Sequence, residues 1–212
     1  MARLSRFLLT LLIAIAAPTL ALAQTVEPVR PDDRTLGSAE APVTLTVYLS
    51  TTCSHCAAWH VNDFPAFKAR WVDTGKVRVA FRDLPTAPPQ VAIAGAVMAR
   101  CAPEDKYDVA LDALFRGQPQ LRVQPGPPAQ EVVIGWLAAA GQAAGLTRDQ
   151  MNACFSSEAS FAEVEARTEQ SFADGVNGTP SFFINGQPLP DTMASLDVAG
   201  FEPLIQPLID GR

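Results

Sequence analysis

Two cysteines separated by two residues, Cys53-Ser54-His55-Cys56, stand where an extended run gives way to a helical one. Val43 to Ser50 (VTLTVYLS) is rich in β-branched and aromatic residues, as a buried strand requires. Beyond Cys56, the residues Phe64, Phe67 and Trp71 recur at spacings of three and four, the buried stripe of an amphipathic helix that Pro65 is expected to kink. Thr74-Gly75 supplies a glycine able to close that helix in the left-handed conformation, and Val77 to Phe81 alternates as a second strand. Strand, helix and parallel strand form a βαβ unit, with Cys53 at the start of its helix.

That placement has a chemical consequence. Free amides and the dipole at a helix N-terminus stabilise an anion, so a cysteine there ionises below its ordinary pKa of ~8.5. Ser54 and His55, lying between the sulfurs, are the residues expected to tune the thiolate, and a protonated His55 would add a positive charge. Other readings of the pair are weaker. Half a zinc site would need further ligands, and only His55 and His60 offer ring nitrogens. Haem attachment needs a histidine directly after the second cysteine, where Ala57 stands. A purely structural disulfide has no need of a strand-to-helix junction. No metal and no cofactor is expected.

The first 23 residues read as an export signal. Arg3 and Arg6 precede the apolar run Phe7 to Ala17, and Ala21-Leu22-Ala23 offers small residues for cleavage. That run is too short for a spanning helix, which takes ~20 residues. Cleavage after Ala23 would remove two arginines and take the formal charge from -6 to -8, a poor balance for binding nucleic acid. The expected location is periplasmic or secreted, where disulfides persist. Cys101 and Cys154, at the ends of two predicted helices, are expected to form a second, structural disulfide, with two separate buried thiols as the alternative. His60 is expected to pack or to make a surface hydrogen bond, and Trp59 and Trp71 to line a core or groove.

The rest of the chain divides by pattern. Residues 24–42 carry prolines and charges without period and read as an arm on the surface. Helices are expected over Gln90 to Cys101, Glu104 to Phe115, Gln130 to Ala144 and Thr147 to Phe155, with the prolines at 119, 125, 127 and 128 marking a loop. Another runs from Glu158 to Gly175, with Phe161, Val164 and Phe172 on one face. Ser181 to Ile184 returns to strand, Asn185-Gly186 is a hairpin dipeptide, and the strand after it must be short because of Pro188 and Pro190. A terminal helix around Gly200 to Ile209 would be interrupted by Pro203 and Pro207.

Strand, Cys-x-x-Cys, helix, helical insertion and then Gly178-Thr179-Pro180 leading into Ser181-Phe182-Phe183-Ile184-Asn185-Gly186 resembles the DsbA-like family of thioredoxin-fold oxidoreductases, from Leu36-Gly37 to the C-terminal helix. The resemblance implies an α/β thioredoxin fold with an inserted helical subdomain: a thioredoxin-like part over 43–87 and 157–212, and the insertion over 88–156. It implies a cis peptide bond before Pro180, beside the cysteines, where the backbone of Thr179 could pair with a bound peptide. Cys53 would exchange with substrate and Cys56 would resolve the mixed disulfide. Substrates would be unfolded or reduced exported proteins, and a membrane oxidase of the DsbB type would be the redox partner. An isomerase or reductase, and a non-catalytic peptide-binding or chaperone module, are the alternatives. The chain departs from the best-known pattern at Ser54, where proline is frequent, at Thr179, where valine is, and at Val47, where many relatives carry a buried glutamate.

Overall fold

The computed structural model describes residues 25–122, 126–189 and 197–211. The export signal expected over 1–23 lies outside the described residues, as do Pro125 and Pro190. Five strands, β1 (Arg34–Leu36), β2 (Val43–Leu49), β3 (Val77–Asp83), β4 (Ser181–Ile184) and β5 (Gln187–Pro188), form one sheet in the order β1-β3-β2-β4-β5. β2 and β3 run parallel in the centre, whereas β1, β4 and β5 pair antiparallel with their neighbours. Period-two alternation sends Val43, Leu45, Val47 and Leu49 into the main core, while Tyr48 turns to the opposite face with Val26, Leu84, Val176 and Phe183.

The helical run after β2 continues past Pro65. It passes through α1 (Ser54–Ala58), a π-helical turn (Trp59–Asp63), α2 (Phe64–Phe67) and a second π-helical turn (Lys68–Val72). Pro65 lies at the start of α2, directly after the first π-helical turn, whose wider winding accommodates the N–H that proline lacks. Phe64, Phe67 and Trp71 are buried as their spacing predicts; Phe67 packs edge-on against Trp71 at 4.9 Å. Gly75, at φ +71°, ends the run: its N–H donates to Val72 and that of Lys76 to Trp71.

Helices α3 (Pro89–Cys101), α4 (Tyr107–Gly117), α5 (Gln130–Ala143) and α6 (Arg148–Phe155) follow β3, with 3₁₀ turns at Glu104–Lys106 and Gln118–Arg122. α7 (Glu158–Ala173) leads back to β4. Its Val164 is buried, but Phe172 is 58% exposed and does not share that face, because α7 buries only a narrow stripe. The Asn185-Gly186 turn joins β4 to β5 with both residues at positive φ, 48° and 80°. α8 (Val198–Asp210) runs uninterrupted through Pro203 and Pro207, capped at its start by Asp197 and anchored by the buried Phe201 and Ile205. Its burial compensates for the hydrogen bonds that the two prolines forgo.

The N-terminal arm is more than a surface strap. β1 pairs with β3 through Arg34 to Leu36, too short a segment to show a pattern. Before it, the chain is held by buried charges: Arg82 pairs with Asp33 at 2.9 Å and donates to the carbonyl of Glu27 at 2.6 Å. Arg82 also donates to Tyr48 Oη at 2.8 Å, and that hydroxyl donates to Asp174 at 2.6 Å. Burial alone would raise the Asp174 pKa, but hydrogen bonds from Arg30 and Tyr48 prevail and lower it. Such a network fixes the register of the arm because removing any one member strands the others in a dry interior.

Cys101, the last residue of α3, is bonded to Cys154 of α6, with a Cα–Cα separation of 6.1 Å. The bridge closes a long loop, for which unfolded-chain entropy gives a stabilisation of ~4 kcal/mol. Replacing both with alanine is expected to lower unfolding free energy by up to that amount in urea titrations. An unchanged midpoint would leave the bridge without a structural role.

Candidate active site

The redox pair sits where β2 turns into α1. Cys53 occupies the N-cap position with extended backbone (φ -76°, ψ 122°), held by its own N–H donating to Ser50 O at 3.1 Å. Ser54 and His55 project outward and are exposed, Cys53 is half-buried, and Cys56 is 1% exposed. Both cysteines are free thiols here.

The two sulfurs are treated unequally. The Cys56 thiol donates toward Cys53, and together with the amides of Cys56 and His55 and the hydroxyl of Thr179 it outweighs burial, lowering the Cys53 pKa to about 5. Burial, with the neighbouring Cys53, pushes Cys56 well above the ordinary thiol range. At neutral pH the accessible sulfur is therefore an anion and the buried one a thiol.

Across the cleft, the Thr179–Pro180 peptide is cis and brings the Thr179 carbonyl to 3.2 Å from Cys53 Sγ, where a protonated Cys53 donates to it. Ionisation of Cys53 frees that carbonyl to accept from another donor. Thr179 Oγ1 is buried with no hydrogen-bond partner among the described residues, so the nearby sulfur anion is the acceptor left to it. A second cis bond, Ala87–Pro88, lies in the loop after β3. Next to it Thr86 donates through its hydroxyl to Ser50 Oγ at 2.9 Å and through its N–H at 3.0 Å.

Two shallow grooves flank the pair. One of about 420 Å³ is lined by Ser54, Ala57, Val61, Phe115, Pro119 and Arg122. The other, about 390 Å³, has Thr52, Pro88, Leu121, Pro127 and Pro128 in its wall and shares Arg122 with the first. Their walls are largely apolar, with Arg116 and Arg122 as the cations, a lining that suits an extended peptide.

Several contributors carried no signal in the sequence. Gln118, 4% exposed, donates from its amide to the carbonyls of Thr51 and Cys53, and Arg122 donates to that of Thr52. Thr51 donates in turn to Ala92 O of α3, and Gly95 lets that helix approach so closely that a Cβ would overlap Thr51 and Trp136. His60 is 3% exposed and stacks between Phe64 and Phe115; burial lowers its pKa to about 4, so it packs as a neutral ring. Trp59 and Trp71 are core residues. Val47 is fully buried opposite Phe81 and Phe182.

A family model described as thioredoxin matches residues 30–205. The chain belongs to the thioredoxin family. Among curated proteins it is similar to one of Rickettsia typhi, named as a protein-disulfide oxidoreductase, with 30% identity over 73% of this chain and 55% of that one. A protein of the same name in Rickettsia bellii shows 29% identity over 73% and 58%. The chain thus spans little more than half the length of these relatives. Its fold is that of α-DsbA1 from Wolbachia pipientis (TM-score 0.72, 23% identity, 86% of this chain and 94% of that). BdbD of Bacillus subtilis in its oxidised form superposes at a TM-score of 0.74 with 18% identity, covering 89% and 99%. A protein-disulfide isomerase from Novosphingobium aromaticivorans follows at 0.66 and 23%, covering 84% and 97%. These are thioredoxin folds carrying a helical insertion, as this thioredoxin-family chain does between β3 and α7.

Thr179→Val keeps the shape of the cleft and removes the hydroxyl. Reduced Thr179→Val is expected to ionise Cys53 at higher pH, read as a rise of about half to one unit in the pH dependence of iodoacetamide alkylation, one hydrogen bond's worth. No shift would remove Thr179 from the tuning of the site.

Proposed function

We propose that this chain is an exported thiol–disulfide oxidoreductase that donates disulfides to reduced proteins through Cys53 and Cys56. The observation that carries the reading is the split between a half-buried sulfur at the helix N-cap, lowered to about 5, and a fully buried one raised. A stabilised thiolate stabilises the dithiol form, and a protein whose reduced state is favoured is an oxidant. Names of the curated relatives support the reaction class, and the leader pattern of residues 1–23 supports export to a periplasmic or extracellular space.

In the oxidised protein, a substrate thiolate attacks Cys53 Sγ. The Cys53–Cys56 bond breaks, Cys56 leaves as a thiolate and takes up a proton, and a mixed disulfide joins Cys53 to the substrate. Throughout this step the Thr179 carbonyl can accept an N–H from the substrate backbone, holding the chain extended across the Pro180 wall. A second substrate thiolate then attacks the substrate sulfur of the mixed disulfide. Cys53 departs as the anion that Cys56, Thr179 and the α1 amides already favour, so it is a good leaving group. Two electrons have moved from substrate to protein. Regeneration needs an oxidant, for which a quinone-linked membrane oxidase of the DsbB type is the candidate. With valine at 47, the Cys56 proton travels through water or a neighbouring hydroxyl.

The second reading, which Thr179 does not exclude, is an isomerase or reductase that works with its pair reduced. Equilibration of the pair against glutathione separates the oxidant from a reductase, and reshuffling of a scrambled disulfide protein by the reduced chain would mark an isomerase. A potential clearly above the ~-270 mV of thioredoxin, toward the ~-120 mV of DsbA, is expected, and one at or below thioredoxin's would favour the reducing role. Cys53→Ser is expected to abolish oxidation of a reduced dithiol peptide. Unaltered activity in that variant would point to a binding module instead.

A further inference from the structure

The active-site backbone is gripped from outside the strand and helix that carry it. Three consecutive carbonyls, those of Thr51, Thr52 and Cys53, each receive a donor from one 3₁₀ turn, Gln118–Arg122, which closes α4. Gln118 Nε2 donates to Thr51 O at 2.9 Å and to Cys53 O at 3.0 Å, and Arg122 Nη2 donates to Thr52 O at 2.9 Å. Cys53 O also accepts the N–H of Ala57 at 3.1 Å, the first hydrogen bond of α1. Gln118 is 4% exposed, and a primary amide buried to this degree spends both its amide protons on the redox loop.

We infer that Gln118, seconded by Arg122, is a positioning residue of the redox site: it locks the 51–53 peptide planes with their carbonyls turned toward the insertion and away from the Cys53 sulfur. A carbonyl oxygen carries partial negative charge, and a loop at a strand end has the freedom to turn one toward a neighbouring anion. Donors on all three oxygens neutralise that charge and remove the freedom. The same lock keeps the first turn of α1 wound, so that the amides of His55 and Cys56 stay directed at the sulfur. The helical insertion, on this account, contributes to the chemistry as well as to a groove wall.

The inference rests on the reading of Cys53 as a functional thiolate, and the test separates the two. Gln118→Met keeps length and bulk without a donor. Thiolate absorbance of the reduced protein, followed against pH, is expected to place the Cys53 midpoint about half to one unit higher in Gln118→Met, with alkylation at pH 5 slowed about twofold to fivefold. Gln118→Glu, which turns a donor into an acceptor and adds a negative charge, is expected to shift it further. A residue serving stability alone would lower the thermal midpoint and leave the titration unmoved, and that result overturns the proposal. Should Gln118→Met not fold, Arg122→Met, at an exposed position, is judged by the same titration. A Cys53 that ionises like a free thiol in the unaltered chain defeats the thiolate reading itself. A low midpoint shared by the unaltered chain and the variants defeats the clamp alone.

Discussion

One constraint governs this site: two sulfurs close enough to bond must have unequal claims on a proton. The inequality comes from position on a single helix. Cys53, at the N-cap, faces the unpaired amides of the first turn, while Cys56, one turn further in, points into the core and is 1% exposed. At the inward position of β2 the chain presents Val47 and not a carboxylate. Hydrogen bonds to the anion, rather than a nearby full charge, set the balance. Because the Cys53 pKa lies below its unfolded value, its ionisation stabilises the reduced fold increasingly as pH rises from about 5 toward 9, and this contribution is lost as pH falls through 5.

A helix end can act on one sulfur only if everything around it is fixed, and the surrounding contacts come from distant parts of the chain. α3 approaches at Gly95 and accepts from Thr51; the loop after β3 brings Thr86 onto Ser50; the turn after α4 holds the carbonyls; the segment before β4 presents Thr179 and Pro180. On the opposite face of the sheet, the buried cluster of Arg82, Asp33, Tyr48 and Asp174 holds the arm against β2 and β3. The strand that delivers Cys53 is thereby fastened on both faces, and the Cys101–Cys154 bridge ties α3 to α6 behind it.

What could be read from the residues alone followed from local chemistry. The strand before Cys53, the stripe Phe64, Phe67 and Trp71, the closing Gly75 and the Asn185-Gly186 turn each announce themselves within a few residues. Readings failed where tertiary packing overrode a local rule. Pro65, Pro203 and Pro207 do not break their helices, because a π turn accommodates the first and burial of Phe201 and Ile205 holds the segment that carries the other two. β1 is three residues long and exists only by pairing with β3. Phe172 shares the spacing of a core residue and faces solvent. Gln118 and Arg122 had no pattern to betray them: a glutamine before a proline in a loop-marking stretch reads as surface, and only the fold shows whose carbonyls it meets.

An NMR titration of the reduced protein with ¹³C at the cysteine β-carbons follows both sulfurs in one sample and reads their unequal hold on a proton directly. Two separate curves are expected, with Cys53 at a midpoint of about 5 and Cys56 still protonated beyond the ordinary thiol range. A single shared midpoint in that ordinary range would contradict this inequality.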